Sequence, residues 1–351
     1  MSIAVVQKSV EEKICNYLHF FLHRVATLHT HRFVASDGTL ERQLSKLRKD
    51  LGEVFLAALA DPETVEICLN ADGTLWQERL GEPLRTIGSM SATNAEAAMR
   101  SIAAFHLAIL TRAEPSIECE LPLDGSRFAG QIPPIVTAPV FAVRKRASRV
   151  FTLQQYVDAG IMTPQQKDIL CAAIRDHRNI LATGSTGSGK TTFLNAAIRE
   201  LTDQFPHERL IIIEDTAEIQ CAAKNHLQYH TSPERSMTQL VRMALRMRPD
   251  RILVGEVRGP EALDLLMSWN TGHEGGIATL HANNAASGLT RLSTLVSMNP
   301  DAPREIEPLI GEAVDIIVHI ARTDKGRVVR EILEVTNFDR TKQVYNWRLV
   351  S

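Results

Sequence analysis

Eight consecutive residues, Gly184-Ser-Thr-Gly-Ser-Gly-Lys-Thr191, constrain this chain more than any other stretch. They fit the pattern glycine, four residues, Gly-Lys-Thr, which works only between a strand and a helix start. Both flanks are present. Residues 179–183 form a short apolar strand candidate, and after the motif Phe193, Leu194, Ala197, Ile198 and Leu201 recur at helical spacing. Glycines there permit positive φ and keep Cβ atoms away from a phosphate, so that loop N–H groups converge on its oxygens at the positive end of a helix. Gly184, Ser185, Thr186, Gly187, Ser188, Gly189, Lys190, Thr191 and Thr192 are therefore expected to bind nucleotide. Lys190 should reach the β- and γ-phosphates, and the Thr191 hydroxyl should hold Mg²⁺.

From residue 163 onward strands and helices alternate, an α/β signature. Strand candidates fall at 179–183, 209–215, 251–256, 276–281, 315–320, 328–335 and 344–349, the last two as a terminal antiparallel hairpin. In an open α/β sheet the ligand site lies beyond the carboxyl ends of the strands. Four apolar runs deliver polar chemistry there: the phosphate loop, Glu214-Asp215, Glu256 and His281. Glu256 holds the place of a Walker-B acid, able to polarise an attacking water or to bind Mg²⁺ through water. Glu214, Asp215 and Glu218 make a second acidic cluster, with Glu214 the leading base candidate and Asp215 joining Thr191 and Glu256 in ordering metal. His281 can donate to a γ-phosphate. Cations for the developing charge are sought among Arg127, Arg144, Arg242, Arg246 and Arg258. His226 and His230, with Cys221 nearby, make no convincing metal set, so ATP with Mg²⁺ is the only cofactor pair expected.

The 351 residues suffice for two domains. Residues 1–45 read as a helical extension: Ser9 caps a helix over 10–25 whose Ile14, Leu18, Phe21, Leu22 and Val25 form an apolar stripe. Residues 46–147 read as a compact α+β domain, with helices over 40–59 and 92–111, a hairpin at 65–79, and extended segments near 117–123 and 140–143. A linker is expected at 148–161 and the larger domain at 162–351. A net charge of −2 argues against a polyanion-coating protein. No run approaches the ~20 apolar residues of a membrane span. The five cysteines form no CxxC pair, which points to reduced thiols and a cytoplasmic setting.

Together these residues resemble the secretion and traffic ATPases, and within them the TrbB-type conjugative-transfer branch of type IV secretion. Four motifs carry the resemblance over about residues 45–340: the phosphate loop, the acidic box of residues 213–218, the stretch 247–259 around Glu256, and the histidine box of residues 271–284. The resemblance implies a RecA-like P-loop motor domain with a smaller N-terminal, PAS-like α+β domain. It implies a homohexamer that encloses nucleotide, with Arg127 and Arg144 reaching it from the N-terminal domain. It also implies ATP hydrolysis that powers pilus or channel assembly or substrate transfer, alongside other secretion components on the inner face of the cytoplasmic membrane. Sequence-specific nucleic-acid binding is not expected. A ring-shaped DNA translocase or helicase, and a nucleotide-gated scaffold with little turnover, are the alternatives. Ser185 stands where relatives carry glycine, which a negative φ accommodates.

Overall fold

The computed structural model describes residues 37–351 apart from residues 147–149, 233 and 325; the helix expected over 10–25 lies outside them. The chain divides into two compact units, one of residues up to Glu78 with Leu84–Arg144, the other of Arg79–Pro83 with Lys145–Ser351. Among the described residues no helix is long and apolar enough to cross a membrane.

In the first unit, helix α1 (Asp37–Ala60) turns Leu47, Leu51, Phe55 and Leu59 inward at helical spacing and breaks at Gly52, whose φ of 78° leaves the helical region. Helix α2 (Ala92–Phe105) is capped by Ser91 and buries Ala95, Ala98, Met99 and Ile102. It stops short of the expected residue 111, since His106 caps it and Leu107 turns to a φ of 55°. Strands β1 (Thr64–Leu69), β2 (Thr74–Arg79), β3 (Arg85–Ser89), β4 (Ser116–Glu120), β5 (Arg127–Gln131) and β6 (Val140–Arg144) form one sheet in the order β3-β2-β1-β6-β5-β4. Strand β5 falls between the two expected extended segments. It pairs antiparallel with β6 and sets Arg127 directly opposite Arg144.

The second unit opens with α3 (Leu153–Asp158), inside the expected linker. Thr152 and Gln155 close a capping box, and Leu153 and Tyr156 are buried in the unit's core. An eight-stranded sheet follows, built from β7 (Ile180–Gly184), β8 (Leu210–Glu214), β9 (His226–His230), β10 (Arg251–Val254), β11 (Ile277–His281), β12 (Ile316–Thr323), β13 (Gly326–Asp339) and β14 (Val344–Leu349). Its order is β14-β13-β12-β7-β11-β10-β8-β9, parallel from β12 to β9 and antiparallel through β12-β13-β14. Strands β7, β8 and β10 are buried at every residue, as a parallel sheet covered on both faces requires. One face carries α3, α4 (Pro164–Arg175) and α5 (Lys190–Gln204) over a core with Phe193, Leu194 and Ile198. The other carries α6 (Met237–Ala244), α7 (Glu261–Trp269), α8 (Ala285–Val296) and α9 (Ile306–Ala313) around Trp269, Leu266 and Leu292.

At the amino-terminal edge of this sheet a buried cation joins four segments. Arg251 has no exposed surface. Its Nε donates to Glu208 Oε2 at 2.6 Å and its Nη1 to the Ile174 carbonyl at 3.0 Å, while Nη2 lies 3.2 Å from His177 Nε2. The guanidinium sits 4.7 Å from the centre of the Phe205 ring. Next to it, Gly276 allows β11 to pass Trp269: a Cβ there would fall 1.9 Å from the indole nitrogen. Arg251→Ala removes the cation and leaves the Glu208 carboxylate short of its partner, and is expected to destabilise the protein by about 3 kcal/mol in denaturant unfolding.

Candidate nucleotide site

The phosphate loop leaves the sheet at Gly184 and ends where α5 begins at Lys190. Gly187 and Gly189 have φ of 71° and 98°, values that a Cβ would strain. Ser185 is absent from the positive-φ residues (Leu107, His177, Arg248 and Gln343 are the non-glycine ones described), so serine is accommodated there. Ser185 and Thr186 are exposed, and Thr191 and Thr192 half-buried on the first turn of α5. Ser188 is fully buried, and its Oγ has no hydrogen-bond partner among the described residues.

Lys190 folds back on its own loop. Its Nζ donates to the carbonyls of Ser185 at 3.0 Å and Gly184 at 3.2 Å, and lies 3.2 Å from His281 Nδ1. The parallel pairing of β11 with β7 sets His281 opposite Gly184. On its far side, His281 Nε2 stands 2.7 Å from Glu256 Oε1. That contact is short but out of line for a hydrogen bond, so the oxygen is buried without a hydrogen-bond partner. The other Glu256 oxygen accepts from Arg258 Nη2 at 2.6 Å, and Arg258 Nη1 lies 3.4 Å from Asp215 Oδ2. Lys190, His281, Glu256, Arg258 and Asp215 thus form one continuous line of contacts at the carboxyl edge of the sheet.

This geometry sets the charge states. Burial works to raise the Glu256 pKa, but the hydrogen bond and charge of Arg258, with His281 and Lys190, outweigh it and hold the carboxyl below its ordinary value. Burial lowers the His281 pKa; Lys190 and Arg258 push the same way against the pull of Glu256. The ring is therefore neutral at pH 7, a state in which one nitrogen accepts a hydrogen bond and the other donates.

Glu214 stands apart from that line. It is buried, its Oε2 accepts the backbone N–H groups of Glu218 and Ile219, each at 2.9 Å, and its Oε1 lies 3.2 Å from His230 Nε2. Its carboxylate holds the acidic box in shape. Asn195 on α5 supports the same segment, accepting from Gln220 N at 3.0 Å. Asp215 also accepts from the Thr231 hydroxyl at 3.0 Å. Of the expected arginines, Arg258 joins the line, whereas Arg242 is engaged by Asp264 at 2.6 Å. In the first unit, Arg144 is exposed and Arg127 half-buried, with Glu118 3.9 Å from the latter. Two guanidinium groups opposite one another on neighbouring strands repel, an arrangement that an anion relieves. Sequence reasoning weighed His230 only as a metal ligand and missed Asn195 and Arg327; Arg327 Nε donates to the Gly187 carbonyl at 3.3 Å from 140 residues away.

Known proteins resemble this chain over most of its length. A family model described as type II/IV secretion system protein matches residues 89–346. The conjugal transfer protein TrbB of Rhizobium radiobacter is 46% identical over 298 residues, covering 85% of this chain and 91% of the relative. The type IV secretion system protein PtlH homolog of Bordetella bronchiseptica is 31% identical over 312 residues, 79% of this chain and 91% of the relative. Among solved structures, the Legionella pneumophila ATPase DotB is 21% identical, with a TM-score of 0.54 over 83% of this chain and 81% of that one, a likeness of fold. On the matched span and on identity over most of its length, this chain belongs to the type II/IV secretion system protein family, in its TrbB conjugal-transfer branch.

Proposed function

We propose that this chain is an ATP-hydrolysing motor that works as a homohexamer and powers conjugative type IV secretion. One observation carries the reading: the unbroken line from Lys190 through His281, Glu256 and Arg258 to Asp215, beside the phosphate loop. The loop N–H groups of residues 187–191 cradle the phosphates, and Lys190 exchanges its two loop carbonyls for β- and γ-phosphate oxygens. Glu256, ionised and with one oxygen lacking a hydrogen-bond partner, accepts from the water that attacks the γ-phosphorus as the bond to the bridging oxygen breaks. His281, held between Lys190 and Glu256, transmits the presence of the γ-phosphate to the base. Glu214 positions the acidic box rather than taking the proton, because its oxygens are already occupied. Arg127 and Arg144 are assigned to the phosphates as cations.

Among the described residues no three His, Cys, Asp or Glu side chains cluster to hold a metal. Mg²⁺ bound with nucleotide asks for only one or two protein oxygens, and the Thr191 hydroxyl, with Glu256 and Asp215 through water, supplies oxygens of the hard type it prefers. When bound it neutralises phosphate charge. Membrane attachment is assigned to other secretion components at the inner face of the membrane, which this chain joins peripherally.

Mass and phosphate release measured in one sample, with and without Mg·ATP and DNA, test the proposal. A hexamer that releases phosphate without DNA supports it; release only with DNA favours a translocase, and binding without release a scaffold. Lys190→Ala should lower turnover more than about 100-fold with the fold retained by circular dichroism. Glu256→Gln should bind ATP yet turn over on the order of 10²–10³ times more slowly; ordinary turnover refutes the assignment.

The depressed His281 pKa carries a sign. A folded-state value below the unfolded one makes the neutral ring a stabilising state above about pH 6.5, and this contribution is lost as pH falls through the folded value. Glu256→Gln removes the anion that opposes the depression. The His281 ring, followed by NMR, should then titrate lower than in the unsubstituted protein; an unchanged or higher midpoint contradicts the contact.

A further inference from the structure

The β12–β13 hairpin brings to the phosphate loop a cation that the proposed mechanism does not use. Arg327, the second residue of β13, donates from Nε to the Gly187 carbonyl at 3.3 Å. It lies so close that a Cβ on Gly189 would fall 2.9 Å from Arg327 Cδ and 3.3 Å from its Nε. The hairpin cannot readily swing away. Arg322 pairs with Arg327 and Thr323 with Gly326 in the ladder, and the Thr323 hydroxyl donates to the Gly326 carbonyl at 2.8 Å. Two residues on, Val329 N donates to Ile161 O at 2.8 Å, and Gln166 Nε2 donates to Val329 O at 3.2 Å. The root of the loop is equally tight, since a Cβ on Gly184 would meet the Ile320 carbonyl of β12 at 2.4 Å.

Arginine has five N–H donors in a rigid fork. Here one is used on the loop backbone, and among the described residues the terminal nitrogens make no hydrogen bond and no carboxylate pairs with them. A half-buried guanidinium, anchored by one arm to a phosphate-binding loop and carrying four further donors beside it, has the chemistry of a phosphate ligand. We propose that Arg327 is a nucleotide-positioning residue: Nε steadies the Gly187 peptide while the two terminal amino groups meet the phosphate chain of a nucleoside triphosphate in the loop. The inference rests on the nucleotide reading of that loop. A lysine cannot replace the arginine, because a single ammonium does not serve the carbonyl and the phosphate at once in this geometry.

Binding of a fluorescent ATP analogue and steady-state ATP hydrolysis by the full chain, Arg327→Ala and Arg327→Lys test it. Arg327→Ala should weaken binding about tenfold, the loss of charge-assisted hydrogen bonds. KM for ATP should rise in parallel with kcat changed less than about threefold, and the melting temperature without nucleotide should stay that of the unsubstituted protein. Arg327→Lys should recover only part of the affinity. Equal affinity in Arg327→Ala overturns the inference and leaves the nucleotide reading standing, as does a lowered nucleotide-free melting temperature with affinity unchanged. Full recovery by Arg327→Lys reduces the residue to a point charge and also overturns the two-armed role. Failure of the unsubstituted chain to bind the analogue removes both readings.

Discussion

His281 lies opposite Gly184 because β11 and β7 pair in parallel over five residues, Ile277 with Ile180 through to the strand ends. The next pairings set Val254 beside Ala278 and Val254 beside Ile213, so β10 and β8 finish at the same level. Side chains alternate along a strand, and a slip of one residue turns an inward group outward. Buried Ile and Val residues on both faces of these strands therefore hold the register, and the register holds the chemistry. Lys190, His281, Glu256 and Asp215 are far apart in the chain and reach one edge only through this alignment.

Charge alternates along that edge: lysine, neutral imidazole, carboxylate, guanidinium, carboxylate. The Arg258 guanidinium lies between two carboxylates, and Lys190 meets neutral acceptors, so a partly buried, densely charged region persists without ligand. Glu214 sits one strand over and does different work, since its oxygens satisfy two backbone amides that the turn after β8 would otherwise leave unpaired. Two acids that look equivalent in sequence, each at the end of an apolar strand, are thus separated by what their oxygens touch.

The phosphate loop, the Glu256 strand and the histidine box were legible because each is a local pattern, a run of apolar residues followed at once by its polar group. The α/β alternation and the terminal antiparallel hairpin were legible for the same reason. Features made by distant contacts were not. Strand β9 reads His-Leu-Gln-Tyr-His, without the apolar run of a central strand, and forms because β8 offers it a parallel edge. Strand β5, which includes Gly130, was not legible as a strand and forms between β4 and β6. Arg258 could not be ranked above Arg242 until the carboxylates beside each were located. The packing of Gly275 and Gly276 carried no local signal, yet a Cβ on either would strike Arg251 or Trp269. Arg327, 140 residues from the loop it touches, carried no local signal.

The resting position of Lys190 bears on selectivity. Its ammonium has three nearby acceptors, two loop carbonyls and an imidazole nitrogen, before any anion arrives. An incoming ligand must replace this set of contacts. A polyphosphate spreads several negative oxygens across the loop and outcompetes the carbonyls together. The Gly184 and Ser185 carbonyls therefore hold the ammonium in place at the loop until phosphate oxygens replace them.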